Sequence, residues 1–204
     1  MDKAKKICIF GDSTAWGAWD TEKGGWVMRL WLAVGQRKAG EYISIYNCGI
    51  SGGTTTDILR RFESEAKERR ADALIFQTGG NDASYQGAPD NYLVPPKKFR
   101  ENVAEIIKRA KRITSRIVFI RYKNCDEAKT MPVPWNDIYY TNKNIEKYNA
   151  IMKEVCEGND VMFLDIKTLD SVDFYDGLHP NSAGHEKIFI QVKDFLLKNK
   201  WIES

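Results

Sequence analysis

Short apolar runs recur along the chain at residues 7–10, 43–46, 73–77, 117–121 and 161–165, and between them the apolar residues switch to helical spacing. Such runs, bounded by turn signals, read as buried strands, and the stretches between them read as amphipathic helices. Phe99, Val103, Ile106, Ile107 and Ala110 fall on one helix face. Ile145, Tyr148, Met152 and Val155 make a second, and Ile188, Val192, Phe195 and Leu196 a third, with Ser182 in position to cap it. Weaker helices are expected over 24–38 and 55–70. Strict alternation of strand and helix gives an α/β fold with a parallel sheet covered on both faces, because each crossover is right-handed and packs back onto the sheet. At 204 residues the chain is long enough to bury such a core as one domain, 1–204. The one long irregular stretch, 122–141, holds Pro132, Pro134, Trp135, Tyr139 and Tyr140, and a loop of that length is usually functional or mobile.

Charge and the scarce residues narrow the chemistry. The 31 basic and 28 acidic side chains leave a net charge of +3, too mild for nucleic acid or an anionic membrane to be the main partner. The basic clusters at Arg60-Arg61, Arg69-Arg70, Lys97-Lys98 and 108–112 are interleaved with acids and read as solvated helix faces. Two histidines and four cysteines, with no C-x-x-C pair, cannot build a zinc finger or a multi-histidine centre, so no metal or organic cofactor is expected. His185-Glu186 is followed at position 189 by Phe, where a metalloprotease helix needs a second histidine. The longest apolar run near the start, 7–10, is too short for a signal-peptide core or a membrane span. With unpaired-looking cysteines, this predicts a soluble cytoplasmic protein.

In open parallel sheets, ligands bind beyond the carboxyl ends of the strands. The turn-rich segments here follow the strands: Gly11-Asp12-Ser13, 49–56, Gly79-Gly80-Asn81-Asp82 and 176–180. They should converge on one edge. In Asp176-Gly177-Leu178-His179-Pro180 a carboxylate stands three residues ahead of a histidine. An acceptor on one imidazole nitrogen presents the other as a general base, although the same pattern also makes a local hydrogen-bonded turn. His185, in the first turn of the last helix, reads as structural or solvated, which leaves His179 as the base. Ser13 follows a buried strand where a helix should begin. That placement exposes a hydroxyl beside unpaired backbone N–H groups, and it equally suits a plain helix cap. Asp12 reads as a local structural residue. The Asn81 amide and the Gly52 N–H are donors of the type a tetrahedral oxyanion needs; each also fits a plain turn.

Taken in order, Gly11-Asp12-Ser13, Asn47-x-Gly49-x-Ser51-Gly52, Gly79-Gly80-Asn81-Asp82 and Asp176-x-x-His179-Pro180 resemble the sequence blocks of the SGNH (GDSL-type) esterases and lipases, over residues 5–195. The resemblance implies a flavodoxin-like three-layer α/β/α sandwich on a five-stranded parallel sheet. It implies Ser13 as nucleophile, Asp176 and His179 as the rest of a triad, and an oxyanion hole made by Ser13, Gly52 and Asn81. The implied partner is a small-molecule ester, with no cofactor; the oligomeric state is left open by the sequence. Thr14 stands where the family often has Leu, a departure that bears on substrate preference and not on the chemistry.

Other readings share these residues. Gly49-Ile50-Ser51-Gly52-Gly53 satisfies the G-x-S-x-G elbow of α/β-hydrolases, with Ser51 as nucleophile. That elbow normally follows several strands, and the H-G-G-G oxyanion motif is missing. A glycine-rich turn after a strand can also hold phosphate in a nucleotide- or flavin-binding module, though no G-x-G-x-x-G or G-x-x-x-x-G-K-[ST] pattern occurs. On the same triad, an acyl-CoA thioesterase, lysophospholipase or acyltransferase would pass through the same acyl-enzyme. Trp16, Tyr85, Trp135, Tyr139 and Tyr140 lie in loops expected at the reactive edge. As a group they are expected to wall a pocket for an acyl group, with 122–141 as a lid over Ser13. The mixed polarity of that segment (Lys123, Asp126, Glu127, Asn136) favours acetyl or short-chain esters over a lipid interface.

Overall fold

Period-two alternation splits each strand between two hydrophobic cores. A computed structural model describes residues 4–35 and 42–203. Its strands are β1 (Lys6–Gly11), β2 (Ser44–Gly49), β3 (Ala73–Gln77), β4 (Tyr85–Gln86), β5 (Ile117–Ile120), β6 (Ile138–Tyr139) and β7 (Met162–Leu164). Five of them form a wholly parallel sheet in the order β2-β1-β3-β5-β7, while β4 and β6 pair antiparallel beside it. The helices are α1 (Ser13–Trp16), α2 (Gly25–Val34), α3 (Thr55–Glu68), α4 (Gly80–Ala83), α5 (Pro96–Ala110), α6 (Glu127–Thr130), α7 (Asn142–Glu157) and α8 (Ser182–Lys198).

Cys8, Phe10, Leu74, Phe76 and Phe119 point to one face of the sheet, where Phe62 of α3, Phe99 of α5 and Tyr148 of α7 cover them. Phe76 stacks between Phe10 and Phe119, with ring centroids 5.7 and 4.8 Å away. Ile7, Ile9, Ile75 and Val118 point to the other face, under Trp26 and Leu30 of α2 and Ile188, Val192 and Leu196 of α8. This is the three-layer α/β/α sandwich, and the basic clusters of α3 and α5 ride on its outside, paired with glutamates one helical turn away.

Several boundaries differ from the expectation, each for a physical reason. β2 runs on to Gly49, because Asn47, Cys48 and Gly49 still pair with β1 as far as Gly11. The helix expected over 24–38 ends at Val34 with Gly35 as its C-cap, and 36–38 lie outside the described residues. Ser182 is not the cap of α8. Asn181 is, its side chain accepting from the Gly184 N–H at 3.1 Å, and Ser182 as the first helical residue turns its hydroxyl to Asp20 at 2.8 Å. The segment 122–141 is only partly irregular: it contains α6 and β6, and the Tyr140 N–H and the Thr130 hydroxyl join its two halves. Among the described residues no helix is long and apolar enough to cross a membrane.

Candidate active site

β1 and β3 are the neighbours at which the strand order reverses, and in open parallel sheets that crevice is where ligands bind. Past the end of β1, Asp12 caps α1, its Oδ1 accepting the Thr14 N–H at 2.8 Å. Ser13 therefore opens a helix at the sheet edge, with its own N–H among the donors a first turn leaves unpaired. Beside it, a Cβ on Gly49 would lie 2.4 Å from the Trp16 nitrogen, so glycine is what lets α1 sit against β2. Asn47 then closes the end of α1, donating to the Ala15 and Trp16 carbonyls at 3.0 and 3.1 Å. Gly52 follows with φ +76°, in the left-handed region glycine tolerates, and its N–H has no partner among the described residues.

Past β3, Asn81 is held at both ends of its amide. Its Oδ1 accepts the Tyr140 hydroxyl at 2.8 Å and its Nδ2 donates to the Gly53 carbonyl at 3.0 Å, which leaves one amide hydrogen free. Asp82 ties α4 to α3 by accepting the Thr55 N–H at 3.0 Å and the Thr55 hydroxyl. Burial pushes the Asp82 carboxyl up to about 7, against the opposing pull of those Thr55 bonds.

The turn at 176–179 brings the last groups. His179 Nδ1 lies 2.7 Å from Asp176 Oδ2, and its Nε2 lies 2.9 Å from Ser13 Oγ. Asp176 Oδ1 accepts the Leu178 and His179 N–H groups at 3.0 and 2.8 Å. Burial pushes the Asp176 carboxyl up, but the bonds from the His179 ring and backbone outweigh it and hold the group below the usual carboxylate range. An ionised Asp176 accepts a hydrogen bond from Nδ1–H, which leaves Nε2 to accept the Ser13 hydroxyl. These groups open into a cavity of about 420 Å³ walled by Trp16, Trp19, Leu93, Trp135, Ile138, Tyr140 and Leu178. Among the described residues no group of three or more His, Cys, Asp or Glu side chains is placed to hold a metal ion.

A family model described as the GDSL-like Lipase/Acylhydrolase family matches residues 9–187. The chain belongs to that family. It is accordingly an ester-hydrolysing enzyme, and the reading as a nucleotide- or flavin-binding module falls. Solved structures share the fold end to end. A lipase/acylhydrolase from Enterococcus faecalis is 22% identical with a TM-score of 0.74, over 98% of this chain and 99% of that one. A variant of an acetyl xylan esterase from Geobacillus stearothermophilus is 18% identical with a TM-score of 0.75, over 100% of this chain and 98% of that one. Among curated proteins, the uncharacterized lipoprotein YqeF of Bacillus subtilis (strain 168) is 28% identical over 109 residues. That match covers 52% of this chain and 43% of YqeF, less than half the relative's length.

Within this GDSL-like hydrolase the remaining expected site residues divide. Trp16, Trp135 and Tyr140 line the cavity. Tyr85 and Tyr139 do not: directly opposite each other in the β4–β6 pair, their rings stack at 5.0 Å. Strand alternation explains this, since Ile138 and Tyr140 face the cavity and Tyr139 between them faces away. Ser51 is exposed on the rim, and the His179 imidazole bonds to Ser13 instead. His185 is buried and structural, with Nε2 donating to the Ala18 carbonyl at 3.0 Å and Nδ1 accepting the Trp26 N–H at 3.3 Å. Thr14 is buried under the site, its hydroxyl 3.4 Å from that of Tyr122. Lys123 is not part of a polar exterior; it has no exposed surface at all. Sequence reasoning missed Trp19, which lines the cavity and stacks on Tyr175 at 5.1 Å. Its signal was available, three residues after Trp16 in the same segment; Leu93 carried none.

Proposed function

We propose that this enzyme is a serine esterase that cleaves acetyl or short-chain carboxylic esters through an acyl-enzyme on Ser13. The observation that carries the reading is the unbroken hydrogen-bonded chain from Ser13 Oγ through His179 to Asp176, opening into the cavity beside the free Asn81 amide hydrogen. Ser13 Oγ attacks the ester carbonyl carbon while His179 Nε2 takes the hydroxyl proton. The carbonyl oxygen becomes an oxyanion facing the Ser13 and Gly52 N–H groups and Asn81 Nδ2. Collapse of the intermediate breaks the bond to the alcohol, which leaves with the proton from Nε2. Water then attacks the acyl-enzyme carbonyl, giving a proton to the same nitrogen; collapse of this second intermediate breaks the bond to Ser13 Oγ, which takes the proton back from Nε2, and the acid departs. Asp176, ionised throughout, keeps the tautomer and stabilises the imidazolium.

The acyl assignment rests on the walls: an apolar pocket of about 420 Å³, open to solvent through exposed Trp16 and Trp135, suits a small acyl group. The acetyl xylan esterase among the structural relatives agrees with that size. The test is hydrolysis of p-nitrophenyl acetate and butyrate, with acyl-CoAs alongside. Ser13→Ala is expected to lower kcat by on the order of 10⁴-fold or more, and His179→Ala by nearly as much, with the double variant little worse because the groups act as a unit. A folded Ser13→Ala protein that keeps about a tenth of wild-type turnover overturns the assignment.

A further inference from the structure

Lys123 lies three residues past β5 with 0% of its surface exposed. A buried ammonium is expensive to desolvate, so what it holds should matter. It donates to the Leu178 carbonyl, and its Nζ lies 4.7 Å from the Tyr122 ring centroid and 5.4 Å from that of Phe174. Burial pushes the group down to about 8, opposed by Asp12, Cys125 and Asp176 around it.

The 176–179 turn is pinned at three successive carbonyls. Gly177 O accepts the Asp126 N–H at 2.8 Å, Leu178 O accepts Lys123 Nζ, and His179 O accepts the Tyr175 N–H at 2.9 Å. Two of those donors are backbone; Lys123 is the side chain. The peptide it holds has a second duty. The Leu178 carbonyl and the His179 N–H belong to one planar unit, and that N–H donates to Asp176 Oδ1 at 2.8 Å. Turning this plane would break the bond to Asp176 and move the carboxylate that orients the His179 ring. A cation on the carbonyl also polarises the peptide, which strengthens its N–H as a donor.

We propose that Lys123 is a positioning residue for ester hydrolysis, fixing the Leu178–His179 peptide and through it the Asp176 carboxylate and the His179 ring. The proposal rests on the reading of Ser13, His179 and Asp176 as the catalytic triad. No step of the reaction passes through the Lys123 amine itself.

Lys123→Met keeps the stem and removes the donor and the charge; Lys123→Gln keeps an N–H donor without the charge. Both are assayed on p-nitrophenyl acetate for kcat and KM, melted, and examined by NMR for the low-field resonance of the His179 Nδ1 proton. Lys123→Met is expected to fold, to lose on the order of 10- to 100-fold in kcat with KM unchanged, and to shift or broaden that resonance. Lys123→Gln is expected to lose less. The proposal is overturned by wild-type kcat in Lys123→Met, or in Lys123→Gln should the first not fold. It also fails if the loss falls in KM alone, if kcat falls while the resonance stays in place, if Gln is no faster than Met, or if neither variant folds. Ser13→Ala run alongside separates the two levels. Turnover abolished there but intact in Lys123→Met refutes only the role of Lys123, whereas turnover surviving Ser13→Ala refutes the triad.

Discussion

Asn81 has little freedom to turn its amide, because the Tyr140 hydroxyl holds Oδ1 and the Gly53 carbonyl holds Nδ2. A donor fixed in advance stabilises charge that appears only in the transition state, since nothing reorganises as the charge develops. Asn81→Ala is therefore expected to lower kcat by about 10²- to 10³-fold with KM nearly unchanged. Tyr140→Phe keeps the ring and removes one neutral hydrogen bond, worth about 1 kcal/mol, so its loss should be about fivefold and again in kcat. Steady-state kinetics on one ester checks both, and a loss confined to KM would make Asn81 a turn residue. Ser13, Asn81 and His179 stood out as candidates in the sequence only through the order of their four blocks, since each alone also suits a helix cap or a plain turn. Tyr140 was legible only as an aromatic ring: loop position cannot say that its hydroxyl reaches Asn81, a contact across 59 residues of chain. Lys123 was less legible still, since a lysine among acids in a loop reads as solvated, and its burial depends on where Leu178, Tyr122 and Phe174 arrive.

At the scale of elements, α2 and α8 are locked together by one carboxylate and one imidazole. Asp20 accepts Arg29 Nε at 2.8 Å, the Gly25 N–H at 2.9 Å and the Ser182 hydroxyl at 2.8 Å, while Arg29 also pairs with Glu186. His185 completes the join from the first turn of α8. Burial pushes the His185 imidazole down to about 4, so the folded protein keeps it neutral where an unfolded chain would protonate it. The sign follows: as pH falls below about 6.5 the unfolded state binds a proton that the folded state refuses, and stability drops until about pH 4. The full span is worth about 3 kcal/mol. Asp82, with its carboxyl raised to about 7, works the other way across an overlapping window. The comparison is therefore between proteins, not between pH values alone. Urea unfolding at pH 7 and pH 4.5 should show a steeper loss for wild type than for His185→Gln, which can still donate to Ala18; equal slopes would remove His185 from the account. The five long helices, α2, α3, α5, α7 and α8, were readable from spacing. What spacing could not reveal was the end of β2, where Asn47, Cys48 and Gly49 look like a turn yet pair with β1, and the cap of α8, where Asn181 and Ser182 are equally good capping residues.

At the scale of the whole molecule, the sheet delivers Ser13, Asn81 and His179 to one edge, while the small β4–β6 pair sets how closed that edge is. The order β2-β1-β3-β5-β7 was readable as a class, since alternating strands and helices force parallel pairing; the β4–β6 ribbon was not, because two-residue strands carry no period. That ribbon turns a row of aromatics into two sets. Trp135, just ahead of β6, stacks over the His179 ring with centroids 5.7 Å apart, while Tyr139 stacks on Tyr85 away from the cavity. The two rings should therefore answer differently to the same substitution. Trp135→Ala removes a wall beside the reactive groups and lengthens the space open to an acyl chain. Its kcat/KM for octanoate relative to acetate is expected to rise about tenfold, the scale on which a hydrophobic pocket discriminates chain length. Tyr139→Ala removes a packed ring pair outside the cavity, so it should lower Tm and leave the octanoate-to-acetate ratio unchanged. Assays of both variants across acetate, butyrate, octanoate and laurate esters, with melting curves beside them, decide the matter. If both variants shift the ratio, the 122–141 segment acts as one wall; if neither does, and each loses activity in step with Tm, then acyl selection lies with Trp16, Trp19 and Leu93, which also line the cavity.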